Sequence, residues 1–366
     1  MSHQPEEITV SQTSPAALTR VGHGDVFTNH MVSSVWDGSD GWQPSELVPL
    51  APIPMHPGML GMHYAQVIFE GLKAHRQEDD SIAVFRPWEN ALRFQRSARR
   101  LAMPELPTEM FIEAIERLVA ADESWLPAGN DELSLYIRPI MYGSESNLML
   151  RPSREYRFLT VAFLAGGFFG NLPAPLSVWV SRTHSRAMPG GTGDVKCAAN
   201  YGPSFMAQQE AAAAGCQQVM WLDSEERRWV EEMGGMNLFL VRGEGPDAEV
   251  VTPELTGTLL PGVTRDSLLA LATLMGYRTR QERISIDRLR ADCESGVVTE
   301  MFACGTAAVV TPIGRLRDEK SAWTVGDGQA GPTTMALRDR LVNVQHGRSP
   351  GPDGWLHPVR VPGTVR

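Results

Sequence analysis

The chain has 366 residues, of which 42% are hydrophobic and 21% are charged, and its formal net charge is −10. This length exceeds what one hydrophobic core usually serves, so we expect a soluble, globular chain with two domains. A net negative charge repels phosphate backbones and anionic lipid headgroups, which argues against nucleic-acid and membrane partners.

The N-terminus and the cysteines bear on the cellular compartment. Residues 1–15, MSHQPEEITVSQTSP, lack the basic and apolar regions of a signal peptide, and the longest apolar stretch, residues 158–170, is too short to span a bilayer. The four cysteines form neither a CxxC pair nor a spacing typical of metal ligands. We therefore expect a cytoplasmic protein with reduced thiols and no metal site.

The first half of the chain predicts helices followed by strands. Apolar residues at helical spacing predict helices over residues 86–104 and 110–121, and apolar runs predict strands over 133–143 and 156–165. A Gly- and Pro-rich break follows over residues 166–175. The break predicts a boundary between two domains.

We place a small N-terminal domain over residues 1–168, a linker over 169–175 and a larger domain over 176–366. The larger domain mixes both kinds of element, which makes the fold class α+β and allows a ligand to bind between the domains. Helices are predicted over residues 202–215 and 264–276, and strands over 175–181, 217–223, 238–243 and 297–312.

One of only three lysines lies in a stretch of small residues. Residues 190–204 read GGTGDVKCAANYGPS and contain Lys196, whereas nearly all of the 33 basic residues are arginines. A lysine amine can form a Schiff base with a carbonyl, and a guanidinium cannot. Small neighbours would also let a flat ring approach the main chain. By itself the stretch leaves open the alternative of a surface lysine in a flexible loop.

Two further stretches carry groups that suit a phosphorylated pyridine cofactor. Glu231 and Glu232 precede a pair of glycines, and a carboxylate there could pair with the ring nitrogen of pyridoxal phosphate. A Pro-Gly turn precedes a predicted helix at Val263 and Thr264, whose N–H groups could bind an anion. A solvated acidic surface and an ordinary turn are the simpler alternatives.

Two more stretches add a cation and a second turn. Arg93, on the predicted helix over residues 86–104, could hold a phosphate with two hydrogen bonds. The Gly-Thr turn in FACGTAA, residues 302–308, could hold a carboxylate with its N–H groups. A basic helix face and a plain β-turn are the alternatives here.

Together these stretches resemble the class IV pyridoxal-phosphate aminotransferases, and within them the branched-chain amino acid aminotransferases. The resemblance covers about residues 20 to 346 and implies the fold-type IV architecture, in which a small α/β domain precedes a larger, barrel-like domain with helices. The motifs that carry it are FTNHM (27–31), HYAQVIFEGLKAHR (63–76), FRPWENALRFQRSARRLAMP (85–104), LYIRPIMYGSE (135–145), GGTGDVKCAANYGPS (190–204), EEMGGMNLF (231–239), TPELTGTLLPGVTRDSLL (252–269) and TEMFACGTAAVVTPIG (299–314).

The resemblance implies a role for each site residue. Lys196 would form the Schiff base, the internal aldimine, and would carry the α-proton, while Glu232 would pair with the pyridine nitrogen and Tyr201 with the ring's 3-oxygen. The phosphate would be held by Arg93, Val263, Thr264 and Thr306. The substrate would be bound at its α-carboxylate by Tyr64, Thr306 and Ala307 and at its side chain by Phe69, Tyr136 and Arg138.

The implied reaction is a ping-pong transamination between L-leucine, L-isoleucine or L-valine and 2-oxoglutarate, catalysed by a homodimer whose loops complete each other's sites. Related class IV enzymes remain as alternatives: an aminotransferase for aromatic or other specialised substrates, a D-amino-acid aminotransferase or an aminodeoxychorismate lyase. A protein that binds the cofactor without turnover is the alternative from another class. The chain has no GxxxxGK[ST] or HExxH motif, which argues against P-loop and zinc-enzyme functions.

Overall fold

Two β-sheets and the helices that cover them make up the protein in a computed structural model that describes residues 23–126, 133–166 and 174–361. The fold class is α+β, as the sequence predicts. Within those ranges no helix is long and apolar enough to cross a membrane.

The first sheet has nine strands, and all of its pairings are antiparallel. Its strands are β1 (Phe27–Asp37), β2 (Gly41–Trp42), β3 (Glu46–Pro49), β4 (Val67–Phe69), β5 (Leu72–Arg76), β6 (Ile82–Phe85), β7 (Ser134–Gly143), β8 (Glu155–Ala165) and β18 (Leu356–Val359). The main path runs β18-β6-β5-β7-β8-β1-β2, with β3 paired to β1 and β4 paired to β7.

Two helices pack on this sheet, α2 (Pro87–Arg100) and α3 (Thr108–Ala121). The helix α3 forms where its apolar residues recur at helical spacing, and the side chains of Phe111, Ile115 and Leu118 are all buried in the core against the sheet. The prediction of helices in both regions is confirmed, with α2 ending four residues earlier than expected.

The second sheet is mixed and also has nine strands. They are β9 (Leu176–Val180), β10 (Gln218–Leu222), β11 (Val230–Met233), β12 (Met236–Arg242), β13 (Glu249–Pro253), β14 (Arg278–Glu282), β15 (Val298–Gly305), β16 (Val309–Arg317) and β17 (Ala322–Thr324). Because β11 pairs with both β10 and β12, the strands β9, β10, β11, β12, β15 and β16 close into a ring. The expected barrel-like larger domain is present.

The remaining helices flank these sheets and the site. A short helix, α1, precedes β4, and the others lie in the second half of the chain. They are α1 (Leu60–Tyr64), α4 (Phe205–Ala213), α5 (Val263–Leu274), α6 (Ile286–Glu294) and α7 (Pro332–Gln345).

The C-terminal strand departs from a strictly sequential division of the chain. The sequence analysis assigns all residues after 175 to the larger domain, but β18 pairs with β6 at the edge of the first sheet, with Val359 opposite Ile82. Pairing there satisfies main-chain groups at an edge of the sheet. Most of the expected linker, residues 169–173, lies outside the described ranges.

Candidate active site

Lys196 lies in the loop between β9 and α4, and contacts on both sides fix its main chain. Its N–H donates to Ser97 Oγ of α2 at 3.0 Å, and its carbonyl accepts from the N–H of Phe69 at 3.1 Å. The neighbours Val195 and Cys197 are buried in the core of the first sheet. The loop therefore presents the Lys196 side chain between the two sheets.

The amine of Lys196 is directed at two aromatic rings. Its Nζ donates to the Tyr201 hydroxyl at 3.0 Å and lies 5.0 Å from the centroid of the Phe69 ring. The rings of Phe69 and Tyr201 meet edge to face, with centroids 5.0 Å apart. A Cβ on Gly235 would approach the Tyr201 ring to 3.2 Å, so a glycine keeps this side of the site open.

The glycine-rich stretch before Lys196 is tightly packed. The Asn200 side chain donates to the carbonyls of Thr192 and Val195 and accepts from the Thr192 hydroxyl, which closes the loop on itself. Gly193 approaches the main chain of Thr258 so closely that a Cβ there would collide with the Thr258 carbonyl. These contacts favour a packed loop over a flexible surface loop.

Both glutamates on β11 are buried, but they contact different groups. Glu232 is 2% exposed and accepts a hydrogen bond from the N–H of Leu260, whereas Glu231 is 4% exposed and accepts from the Thr258 hydroxyl. Burial raises the pKa of both carboxyl groups. Positive charge on Arg186 opposes that shift in the pKa of Glu232, as Lys196 does to a smaller extent.

Arg186 is a site residue that the sequence analysis does not find. Its Nε lies 3.3 Å from Glu232 Oε2, and its Nη2 donates to the carbonyls of Gly193 and Thr258. The side chain is 5% exposed. Arg186 therefore ties the glycine-rich loop to the buried carboxylate, and nothing in the sequence distinguishes it from the many other arginines.

Arg93 is held by a second residue that sequence reasoning misses. Its Nε and Nη2 each donate to the Glu70 carboxylate at 2.7 Å, and Asn90 also donates to Glu70. Glu70 is fully buried, and this pairing with Arg93 holds its pKa below the usual value despite the burial. The sequence does carry a signal of buried charge here, because Glu70 is a charged residue within the apolar run VIFEGL.

The expected phosphate-binding groups lie beside this pair. Arg93 Nη1 donates to the carbonyl of Pro261, two residues before Val263 begins α5. The first N–H groups of a helix have no partner within it, and the N-cap of α5, Gly262, has no side chain to accept from them. Thr306 reaches the same region through its hydroxyl, which donates to the Gly71 carbonyl at 3.0 Å.

The residues expected to line the side-chain pocket form one cluster. Arg138 lies over the rings of Phe69 and Tyr136, with its Cζ 5.1 Å and 5.3 Å from their centroids. Tyr136 stacks on Phe163 with centroids 4.8 Å apart, and Ala307 packs against both. Phe69 therefore links this cluster to the Lys196 amine.

Tyr64 lies apart from this cluster. It is 42% exposed at the end of α1, and its hydroxyl donates to the Leu148 carbonyl at 2.7 Å. Val263, Thr264 and Thr306 line one small cavity, so the structure brings together eleven of the twelve residues expected at the site. The twelfth, Tyr64, is hydrogen-bonded to an exposed loop.

A family model described as amino-transferase class IV matches residues 68–316. The chain is 49% identical to a protein of Streptomyces coelicolor named probable branched-chain-amino-acid aminotransferase, over 97% of each chain. It is also 49% identical to the branched-chain-amino-acid aminotransferase of Mycolicibacterium smegmatis, over 97% of this chain and 99% of the relative.

Solved structures agree with these matches. A branched-chain amino acid aminotransferase whose source is abbreviated T.th., solved with pyridoxamine 5'-phosphate, has a TM-score of 0.73 and 28% identity, and the match covers 89% of this chain and 98% of that one. The same enzyme is also known in complex with N-(5'-phosphopyridoxyl)-L-glutamate. The chain belongs to the class IV aminotransferases and, within that class, to the branched-chain-amino-acid aminotransferases.

Proposed function

We propose that this enzyme transfers the amino group of L-leucine, L-isoleucine and L-valine to 2-oxoglutarate by a ping-pong reaction at Lys196. The observation that carries the proposal is the Lys196 amine, held 3.0 Å from Tyr201 and near the buried carboxylate of Glu232. The complex of the T.th. enzyme with a phosphopyridoxyl derivative of glutamate supports 2-oxoglutarate as the amino acceptor.

The residues of the site fit pyridoxal 5'-phosphate, which is the cofactor. Lys196 offers an amine for covalent attachment, and Tyr201 and Glu232 offer a hydroxyl and a buried carboxylate for the two polar positions of a pyridine ring. Arg93 and the start of α5 at Val263 offer a guanidinium and free N–H groups for a phosphate. When bound, this cofactor withdraws electrons from the substrate's α-carbon.

The chain's own groups then perform the remaining tasks. The Lys196 amine, which is held 3.0 Å from the Tyr201 hydroxyl, would serve as the base that moves the α-proton. Glu232 keeps the ring nitrogen protonated, and Arg186 holds that carboxylate in place at 3.3 Å. The N–H groups of Thr306 and Ala307 bind the α-carboxylate.

An amino-donor panel with 2-oxoglutarate tests the proposed substrates. We expect turnover of leucine, isoleucine and valine to exceed that of phenylalanine, tryptophan and D-alanine. A preference for an aromatic amino acid would indicate a specialised aminotransferase, and a preference for D-alanine would indicate a D-amino-acid enzyme; either outcome would contradict the proposal.

Arg138 is expected to bind the distal carboxylate of glutamate and 2-oxoglutarate. It forms no ion pair with any carboxylate in the described ranges, and its buried Nε has no hydrogen-bond acceptor there. A cation in this state suits an incoming carboxylate better than a structural ion pair. Replacing Arg138 by Met should therefore lower kcat/KM for glutamate by a factor equivalent to about 1.5–3 kcal/mol of transition-state stabilisation. The kcat/KM for leucine should remain nearly unchanged. Equal losses for both substrates would indicate a structural role.

We also propose that the enzyme acts as a homodimer in which a loop of one protomer completes the partner's site. The loop that contains residues 148–150 is the candidate, because the Tyr64 hydroxyl donates to the Leu148 carbonyl. Its three apolar side chains are exposed, Leu148 at 53%, Met149 at 63% and Leu150 at 86%. Adjacent exposed apolar side chains are typical of interfaces.

A charge in this loop should weaken the dimer. We expect the double substitution Met149→Asp and Leu150→Asp to raise the dissociation constant at least about tenfold, because two carboxylates would have to be desolvated on association. Sedimentation velocity over a range of protein concentrations measures this change. Leu274→Asp, at a 65% exposed position on α5, is the control. An unchanged dimer in the double variant would exclude this loop from the interface.

A further inference from the structure

A second buried lysine lies next to the site and has no part in the reaction proposed above. Lys73, on β5, is 6% exposed, and its main chain lies opposite Tyr136 of β7. Its Nζ donates to the Ala307 carbonyl at 3.3 Å, and no carboxylate within the described part of the chain forms an ion pair with it. An ammonium has three N–H donors, so this amine still has donors and a positive charge available for an anion nearby.

The ionisable groups around Lys73 do not compensate its charge. Arg338, on α7, carries the same charge, and His75, on the same strand, and His23, near Tyr136, are the imidazoles that interact with it. Burial, followed by the neighbouring His346 and Lys73, holds the pKa of His75 well below its usual value. Burial, followed by Lys73 and Arg138 and opposed by Asp25, lowers the pKa of His23 to about 4. Both imidazoles are therefore neutral at neutral pH.

Lys73 and its neighbour Gly71 hold one turn at two points. The turn joins β15 to β16 and consists of Thr306, Ala307 and Ala308. Thr306 Oγ1 donates to the Gly71 carbonyl at 3.0 Å, while Lys73 Nζ donates to the Ala307 carbonyl. The N–H groups of this turn are therefore oriented by the strand that carries Lys73.

We propose that Lys73 is a positioning residue for the substrate α-carboxylate, and that its protonated amine fixes the Thr306–Ala307 turn and adds positive charge behind it. This inference rests on the proposed function, which gives the N–H groups of that turn to the α-carboxylate. It accounts for an uncompensated cation in an interior position, which is costly unless an anion is bound nearby.

The protonation state of Lys73 makes the inference testable by pH. Burial, with a smaller contribution from Arg338, lowers the pKa of Lys73 to about 8. The amine that supports a carboxylate is the protonated one, so affinity is full below that pH and falls above it. An aliphatic acid without an amino group, such as 4-methylpentanoate, does not itself titrate over this range and reports the enzyme's groups.

The experiment measures the Kd of 4-methylpentanoate for the holoenzyme from about pH 6 to about pH 10, with the uncharged amide of the same acid as the matched ligand. We expect Lys73→Met to weaken binding of the acid about 10- to 100-fold at neutral pH and to leave binding of the amide nearly unchanged. Lys73→Arg should retain binding without the loss above about pH 8. Lys320→Met, at an exposed lysine, removes the same charge and should behave as wild type.

Each other outcome contradicts the inference. Equal weakening of the acid and the amide would indicate that Lys73 only supports the fold, and loss of bound cofactor with normal acid binding would assign it to the phosphate. An unchanged Kd and pH profile in Lys73→Met would exclude any role. If Lys73→Met does not fold, the wild-type enzyme supplies the test. A wild-type Kd for the acid that stays constant through about pH 8 would also exclude a role for Lys73. The experiment measures ligand binding without turnover. A failure of the inference about Lys73 can therefore be told apart from a failure of the proposed transamination.

Discussion

Replacing Lys196 by Ala will lower transamination by more than about 10⁴-fold, because the substitution removes both the covalent attachment of the cofactor and the proton carrier. The main chain of residue 196 should keep its place, since its contacts to Ser97 and Phe69 do not involve the side chain. The visible absorbance of the attached cofactor should be absent, whereas the melting temperature should change little.

Reduction with borohydride followed by peptide mapping identifies the attachment site directly. In the wild-type enzyme we expect the label on Lys196. The other lysines are suitable comparisons, because Lys73 is buried next to the site and Lys320 is exposed. A label on Lys73 would assign the attachment to β5 and would contradict both this proposal and the positioning role of Lys73.

Periodicity predicts those elements that bury one face. The sequence predicts the helix α3 to within two residues, because its apolar residues recur at helical spacing and are buried, and it predicts the strands β7 and β8 as closely from apolar runs that are buried on both faces. The helix α7 carries the same helical spacing in Leu337, Leu341 and Val344, all of which are buried, although the sequence analysis does not include it. The strand β14, with sequence RTRQE, has almost no buried face and forms through main-chain pairing with β13, so its sequence contains no such signal.

The chemistry of the site is predictable from the sequence only where one residue type is unusual. Lys196 stands out because the chain has three lysines and because small residues surround it. Glu70 and Lys73 interrupt an apolar run, which is a weaker signal of buried charge. Arg186 acts through a contact with Glu232, 46 positions further along the chain, that forms only when β11 folds against the glycine-rich loop. Such a contact depends on tertiary structure alone.

The two glutamates of β11 require a finer argument than alternation along a strand. Alternation predicts that only one of them reaches the site, yet both are buried. Their partners distinguish them. Glu232 lies beside Arg186 and within the electrostatic influence of Lys196 and Arg93, whereas Glu231 is bonded to the Thr258 hydroxyl on the other side of the strand.

Replacing Glu232 by Gln should therefore lower kcat by about 10²- to 10³-fold while the cofactor stays bound, because an amide cannot keep a pyridine nitrogen protonated as a carboxylate can. Stopped-flow measurement of the first half-reaction isolates this step, and the absorbance spectrum reports cofactor content. Glu231→Gln is the matched control, since it changes a buried carboxylate on the same strand that is hydrogen-bonded to Thr258 and forms no close ion pair with Arg186. We expect its kcat to remain within about threefold of wild type, because an amide oxygen still accepts the Thr258 hydrogen bond. If Glu231→Gln lost the activity and Glu232→Gln retained it, the ring nitrogen would face the opposite side of β11.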